Sequence, residues 1–224
     1  MSFKALSITA VAAMLLVAGS AQAQNRFANG SFEVGQTTVP ADPLPVANVD
    51  PTNAQGWLDA AAGYSRSNDA HTGSFSALLT CPGFCGAVML QNSVATGAMP
   101  NLVAGDLLTL SFWAKGDVGA TGNVLFALRY LASGGGILYD SQNQFFQGAI
   151  NSTTWSQITF NAPAVPVGAT GAFLEFSTAT GPGATSVLID DVSLVPEPGT
   201  YAMMLAGMAF VGGIAARRRR AAAV

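Results

Sequence analysis

The stretch Leu107-Leu108-Thr109-Leu110-Ser111-Phe112-Trp113-Ala114 places Leu108, Leu110 and Phe112 on one side of an extended chain. Leu107 and Trp113 fall on the other side. Successive side chains of a strand point to opposite faces, so this period of two predicts a strand with one face in a core. Segments of similar length recur on both sides, separated by clusters of Gly, Pro, Asn and Asp. Upstream are Ser31–Val34, Trp57-Leu58, Tyr64, Ser74–Thr80 (with Phe75, Ala77 and Leu79 on one face) and Ala87–Gln91. Downstream, Val124–Leu131 and Ile137–Tyr139 predict a hairpin around Ser133-Gly134-Gly135-Gly136, followed by Trp155–Phe160, Ala172–Phe176 and Ser186–Val195. Four prolines between Thr38 and Pro51 forbid a ladder there and predict a long loop. No window between 24 and 195 carries an amphipathic helix longer than two turns. The expected fold is all-β, a single antiparallel β-sandwich of the jelly-roll type.

Both ends of the chain read differently. Residues 1–23 hold Lys4, an apolar stretch from Ala5 to Ala18 and the small-x-small site Ala21-Gln22-Ala23, the pattern of a secretory signal peptide. At the other end Val195-Pro196-Glu197-Pro198 breaks the strand pattern. Residues 201–216 carry no charge, and Arg217, Arg218, Arg219 and Arg220 follow. A helix over 201–216 spans about 24 Å against a bilayer core of about 30 Å, so this short C-terminal transmembrane helix relies on Tyr201 and snorkelling arginines at its ends. The arginine cluster keeps its own side cytoplasmic and the preceding body outside. The expected divisions are therefore a signal peptide at 1–23, a body at 24–195 and a terminal segment at 196–220.

With the ends set aside, the body has four basic residues, Arg26, Arg66, Lys115 and Arg129, against eleven carboxylates. That acidic balance excludes a basic nucleic-acid footprint. Few charges with abundant Gly, Ser, Thr, Asn and Ala suit an exported β-rich protein.

Pro196-Glu197-Pro198, the short apolar span and Arg217–Arg220 together resemble the PEP-CTERM sorting signal of Gram-negative bacteria. The resemblance implies export by signal peptidase and the secretion machinery, and processing near the motif by exosortase, a membrane-embedded transpeptidase-like enzyme. It implies a body held outside the inner membrane, then at the cell surface or in the extracellular matrix, and an association with exopolysaccharide and biofilm. An ordinary C-terminal anchor following Pro-Glu-Pro is the alternative.

A second resemblance covers nearly all of the body. Its pieces are Asn29-Gly30-Ser31-Phe32-Glu33, Gly56-Trp57, Thr72 to Leu78, Leu110 to Lys115, Thr154 to Phe160, and Ile189-Asp190-Asp191-Val192-Ser193-Leu194. In that order they resemble the galactose-binding-domain-like jelly roll, including its carbohydrate-binding modules. The resemblance implies a structural Ca²⁺ flanked by Glu33, Asp190 and Asp191, whose oxygens suit a hard cation. Strand alternation would send Asp190 and Asp191 to opposite faces, leaving one of them to join Glu33. Solvated strand-end carboxylates are the plainer reading, and no cofactor is required.

Cys81 and Cys85 flank three residues, and in an exported chain this predicts a disulfide that pins a loop, with free thiols as the alternative. The interval is not the C-x-x-C redox spacing, and no third ligand lies nearby for zinc. His71, the single histidine, has Asp69, Ser74 and Ser76 near it in sequence. No G-x-S-x-G elbow accompanies it, so a loop histidine with a local hydrogen bond is the better reading than a triad.

Trp113 and Trp155 are expected to pack in the core. Tyr64, Arg129, Tyr130 and Tyr139 are the ligand candidates, being polar-tipped residues on strands or hairpin flanks. Arg129 and Tyr130 are adjacent, so one strand face can show only one of them. The functional expectation is an exported, exosortase-sorted surface or matrix protein whose body contacts exopolysaccharide without catalysis. The alternatives are a structural protein acting through protein–protein contacts, and a secreted hydrolase.

Overall fold

The computed structural model describes residues 25–37, 52–92, 102–196, 207–209 and 212. Residues 25–195 form one compact unit. Its strands are β1 (Leu58–Asp59), β2 (Tyr64–Ser67), β3 (Ser76–Cys81), β4 (Cys85–Asn92) and β5 (Leu108–Asp117). They continue as β6 (Asn123–Ala132), β7 (Ile137–Asp140), β8 (Gln144–Phe145), β9 (Ser156–Asn161), β10 (Ala169–Thr180) and β11 (Thr185–Pro196). A single 3₁₀ turn, Gln147–Ala149, is the one helical element described in the body.

The strands form two antiparallel sheets stacked as a sandwich. A six-stranded sheet has the order β1-β4-β10-β6-β7, with β8 also pairing with β6, and a five-stranded sheet has the order β2-β3-β11-β5-β9. The β5 alternation holds as expected, with Leu108, Leu110, Phe112 and Ala114 buried between the sheets. From the opposite sheet Phe126 and Phe176 meet Phe112 edge-on, at centroid distances of 5.5 and 4.9 Å. Trp57, fully buried, packs on Phe32 at 5.1 Å and on Phe176 at 6.2 Å. Such aromatic pairs add about 0.5–1.5 kcal/mol each beyond their buried area.

Chain connectivity gives the two ends of the sandwich different characters. The β3–β4, β5–β6 and β10–β11 connections each cross from one sheet to the other, and all three do so at the same end.

The expected strand at Ser31–Val34 is absent. Asn29 and Phe32 have φ of 48° and 58°, so the segment curls, and only Gly35 makes an isolated bridge, to Ala54. The curl drops Phe32 into the core and turns Glu33 toward the loop before β3.

Candidate functional site

The central feature is a break in the alternation of β11. Val187 and Ile189 are buried in the core, and so are Val192 and Leu194, so the inward parity changes between them. Asp191, at φ 51°, takes up the extra residue. Asp and Asn tolerate this left-handed region better than other side-chain-bearing residues. Up to Ile189 the strand edge pairs with β3. Beyond the break it turns to the N-terminal segment, where Val192 N–H donates to Gly30 O at 2.9 Å and Arg26 N–H donates to Leu194 O at 2.9 Å.

This break brings both aspartates onto one loop, residues 69–75, contrary to the expectation of opposite faces. Asp190, fully buried, accepts the backbone N–H groups of His71 at 2.8 Å and Thr72 at 3.1 Å on Oδ2, and that of Asp191 at 2.7 Å on Oδ1. Asp191 accepts the Thr72 hydroxyl at 2.6 Å and lies 2.7 Å from His71 Nδ1. Glu33 Oε1 accepts Ser74 N–H at 2.9 Å and Phe75 N–H at 3.0 Å. Burial pushes the Asp190 carboxyl up to about 6, with the neighbouring Asp191 charge adding to it and the N–H donors opposing it.

Glu33, Asp190 and Asp191 do not converge as a cation cage. Among the described residues no group of three or more His, Cys, Asp or Glu side chains is arranged to hold a metal ion. Asp190 and Glu33 Oε1 instead accept backbone N–H groups, and Asp191 accepts the Thr72 hydroxyl.

The His71 hydrogen bond is not local, since its partner is 120 residues away. Its ring stacks on Trp113 at 3.9 Å and meets Trp155 edge-on at 5.7 Å. Lys115 Nζ lies 4.9 Å from the Trp155 ring centre and 2.7 Å from each Asp69 carboxylate oxygen. Trp113 and Trp155 are therefore half-buried on the outside of the five-stranded sheet rather than in the core.

The outer face of the six-stranded sheet carries a second arrangement. The register places Asn92, Phe173, Arg129 and Asp140 side by side across β4, β10, β6 and β7. Arg129 Nε donates to Asp140 Oδ2 at 2.9 Å, and Nη1 lies 3.4 Å from Glu175 Oε2 on the diagonal position. Its guanidinium sits 5.0 Å from the Phe173 ring centre. Burial raises the Asp140 carboxyl, but the hydrogen bonds from Arg129 and Gln142 N–H outweigh it and hold the group below the usual range. The face thus offers a half-exposed phenyl ring, a fixed guanidinium and two carboxylates with lone pairs to spare. Its floor, Leu90, Leu125 and Ala127, is buried.

Of the four ligand candidates Arg129 lies on this face. Tyr64 and Tyr130 do not, because both are buried between the sheets. The Tyr64 hydroxyl accepts Ala54 N–H at 3.0 Å, and the Tyr130 hydroxyl donates to Pro163 O at 3.4 Å. Burial pushes both phenols well above the ordinary range. Tyr139, half-buried, packs its ring on Tyr130 at 5.5 Å. Alternation required one of Arg129 and Tyr130 to face inward, and the tyrosine takes the core. Phe173, Glu175 and Asp140 escaped the sequence reading because their meeting depends on cross-strand register. The spacing of Val187 and Ile189 against Val192 and Leu194 was a legible sign of the β11 break.

Cys81 and Cys85 form a disulfide, and the intervening turn presents Phe84 to solvent. Pro196, buried, closes β11. Residues 1–23, Glu197, Pro198 and Arg217–Arg220 lie outside the described residues. Within 201–216 only Gly207, Met208, Ala209 and Gly212 are described, and these are helical. Among the described residues no helix is long and apolar enough to cross a membrane.

Residues 194–220 match the PEP-CTERM protein-sorting motif. No curated protein matches the chain by sequence. Among solved structures, the enzymatically active domain of bacteriophage CBA120 tailspike protein 4 is similar with a TM-score of 0.55 and 21% identity, over 77% of this chain and 21% of that one. The chain thus spans about a fifth of the tailspike chain. The module TmCBM61, in complex with β-1,4-galactotriose, has a TM-score of 0.48 and 17% identity, over 78% of this chain and 99% of that one. The CBM22-1 xylan-binding domain of Paenibacillus barcinonensis Xyn10C has a TM-score of 0.46 and 13% identity, over 75% of this chain and 91% of that one. At these identities the likeness is one of fold alone, an antiparallel β-sandwich. The chain is an all-β sandwich followed by a PEP-CTERM sorting motif, the mark of an exported protein that exosortase processes.

Proposed function

We propose that this is a cell-surface or matrix protein whose jelly-roll body holds exopolysaccharide without catalysis. The observation that carries the reading is Arg129, fixed beside Phe173 and between Asp140 and Glu175 on the outer face of the six-stranded sheet. A ring with an apolar face, flanked by charged acceptors and a forked donor, suits a sugar: the C–H face stacks while hydroxyls bond the ionised groups. The guanidinium is offset by two carboxylates, which favours neutral over acidic sugars.

In this reading residues 1–23 direct export. The 201–216 span and Arg217–Arg220 hold the chain in the inner membrane with the body outside. Exosortase then acts near Pro196, Glu197 and Pro198, passing the body to the surface or matrix. Binding needs no ion, nucleic acid or enzymatic group.

Retention of the full chain on the producing strain's exopolysaccharide tests the reading. Saturable retention that Arg129→Ala and Phe173→Ala both weaken, with thermal stability kept, is the expected result. A folded protein that is not retained at all would return the body to a scaffold acting through protein contacts. Release of reducing ends from the polymer would make it a hydrolase.

A further inference from the structure

Three of the crossovers that meet at one end of the sandwich share a composition. The segments 81–85, 117–123 and 179–185 contain one charged residue, Asp117, and five glycines. They are knitted together: Phe84 N–H donates to Gly181 O at 2.9 Å, the Thr121 hydroxyl to Pro182 O at 3.1 Å and the Thr180 hydroxyl to Gly183 O at 3.3 Å. From this small-residue surface Phe84 projects with 81% of its area exposed.

Two features hold the ring there against its own preferences. The Cys81–Cys85 disulfide closes the turn around it. Its backbone lies at φ 51°, a conformation glycine adopts at less cost. An apolar ring kept 81% exposed on a covalently clipped, left-handed residue gains little from packing within the chain. A contact made outside the chain would give the ring a partner.

The surroundings select the kind of contact. A stable protein interface takes about 800 Å² from each partner, far more than a narrow tip with one large side chain supplies. An anionic membrane surface draws on Lys and Arg, and these segments have none. A pyranose ring needs one aromatic face for its C–H side and neutral acceptors for its hydroxyls. The carbonyls of Gly181, Pro182 and Gly183 each keep a second lone pair.

We infer that Phe84 and the crossover carbonyls around it form a second glycan contact, one that takes the apolar face of a neutral sugar. It is separate from the Arg129 face, because Arg129 lies in the row of Asn92 and β4 runs about 23 Å from Cys85 to Asn92 at 3.3 Å per residue. The body is then bivalent toward polysaccharide and can bridge strands or grip one strand at two places. The inference rests on the glycan reading of the Arg129 face, but on different residues.

The test is affinity electrophoresis of the full chain, solubilised in mild detergent, through gels containing the producing strain's exopolysaccharide. Phe84→Gly is expected to keep or raise the melting temperature, since it removes the left-handed strain, while lowering retardation severalfold. Phe84→Trp restores retardation, Arg129→Ala lowers it independently, and the double variant runs as in a polymer-free gel. Retardation of Phe84→Gly equal to wild type, with Arg129→Ala still impaired, overturns this inference and leaves the Arg129 reading standing. A wild-type chain that is not retarded overturns both. Phe84-dependent self-association without polymer, seen by sedimentation, overturns it in favour of a protein contact.

Discussion

His71 Nδ1 and Asp191 Oδ2 lie 2.7 Å apart although 120 residues separate them. They meet because β11 breaks its alternation at Asp190 and Asp191, turning both carboxylates onto the loop before β3. The contact ties the first third of the body to its last strand, the strand that leads into the sorting motif. Asp190, which accepts from the same loop, makes the stability of the domain depend on ionisation there.

Asp190 sets the sign of that dependence. Its carboxyl is pushed up to about 6, chiefly by burial. The unfolded chain releases the proton near the ordinary carboxylate value of about 4, so between these values the native state binds more protons. The contribution is therefore present in full below about pH 4 and is lost as pH rises through about 6. Melting curves of wild type and Asp190→Asn across this range check it. The difference, wild type minus variant, is expected to fall as pH rises, and a rising difference would contradict the assignment.

Removing the acceptor altogether is costlier. Asp190→Ala strands the N–H groups of His71, Thr72 and Asp191, and urea unfolding is expected to show a loss of about 3 kcal/mol.

Gly30 is required by the strand it touches. A Cβ built there would overlap the Val192 carbonyl oxygen, and the backbone cannot retreat without stretching the Val192 N–H to Gly30 O bond. Gly30→Ala is expected to cost about 3 kcal/mol, while Gly134→Ala tests an open site, with nothing within 4 Å of its Cβ but a φ of 87°. Equal losses for the two would show that overlap is not the cause at Gly30.

The disulfide ring is small, so reduction is expected to lower stability by only about 2 kcal/mol. Denaturation with and without reductant measures this directly. Loss of the whole transition on reduction would mean that the turn nucleates more than its own end of the sandwich.

A chelator is expected to leave the melting temperature unchanged, because Glu33 and Asp190 accept backbone N–H groups and Asp191 accepts the Thr72 hydroxyl. A chelator-dependent drop, reversed by Ca²⁺, would show that the loop reorganises around the cation that the sequence resemblance implies.

Much of this protein was legible from local chemistry alone. The period-two pattern from Leu108 to Ala114 determined a strand with a buried face, because alternation is a property of the backbone and needs no partner. The signal-peptide pattern, the Pro-Glu-Pro break and the arginine cluster are likewise contiguous, and so can be read in order. The short Cys81–Cys85 interval marked a disulfide for the same reason.

What only the tertiary structure decided depends on partners distant in sequence. Adjacency said that one of Arg129 and Tyr130 faces the core. Pairing with β10 and β7 settled that Tyr130 is buried and that Arg129 lies among Phe173, Asp140 and Glu175. Strand alternation assigned Asp190 and Asp191 to opposite faces. The left-handed turn at Asp191 overrode that assignment, because the β11 edge changes partners from β3 to residues 25–30; the spacing of the apolar residues marks the break, but no local pattern encodes which neighbour each half takes.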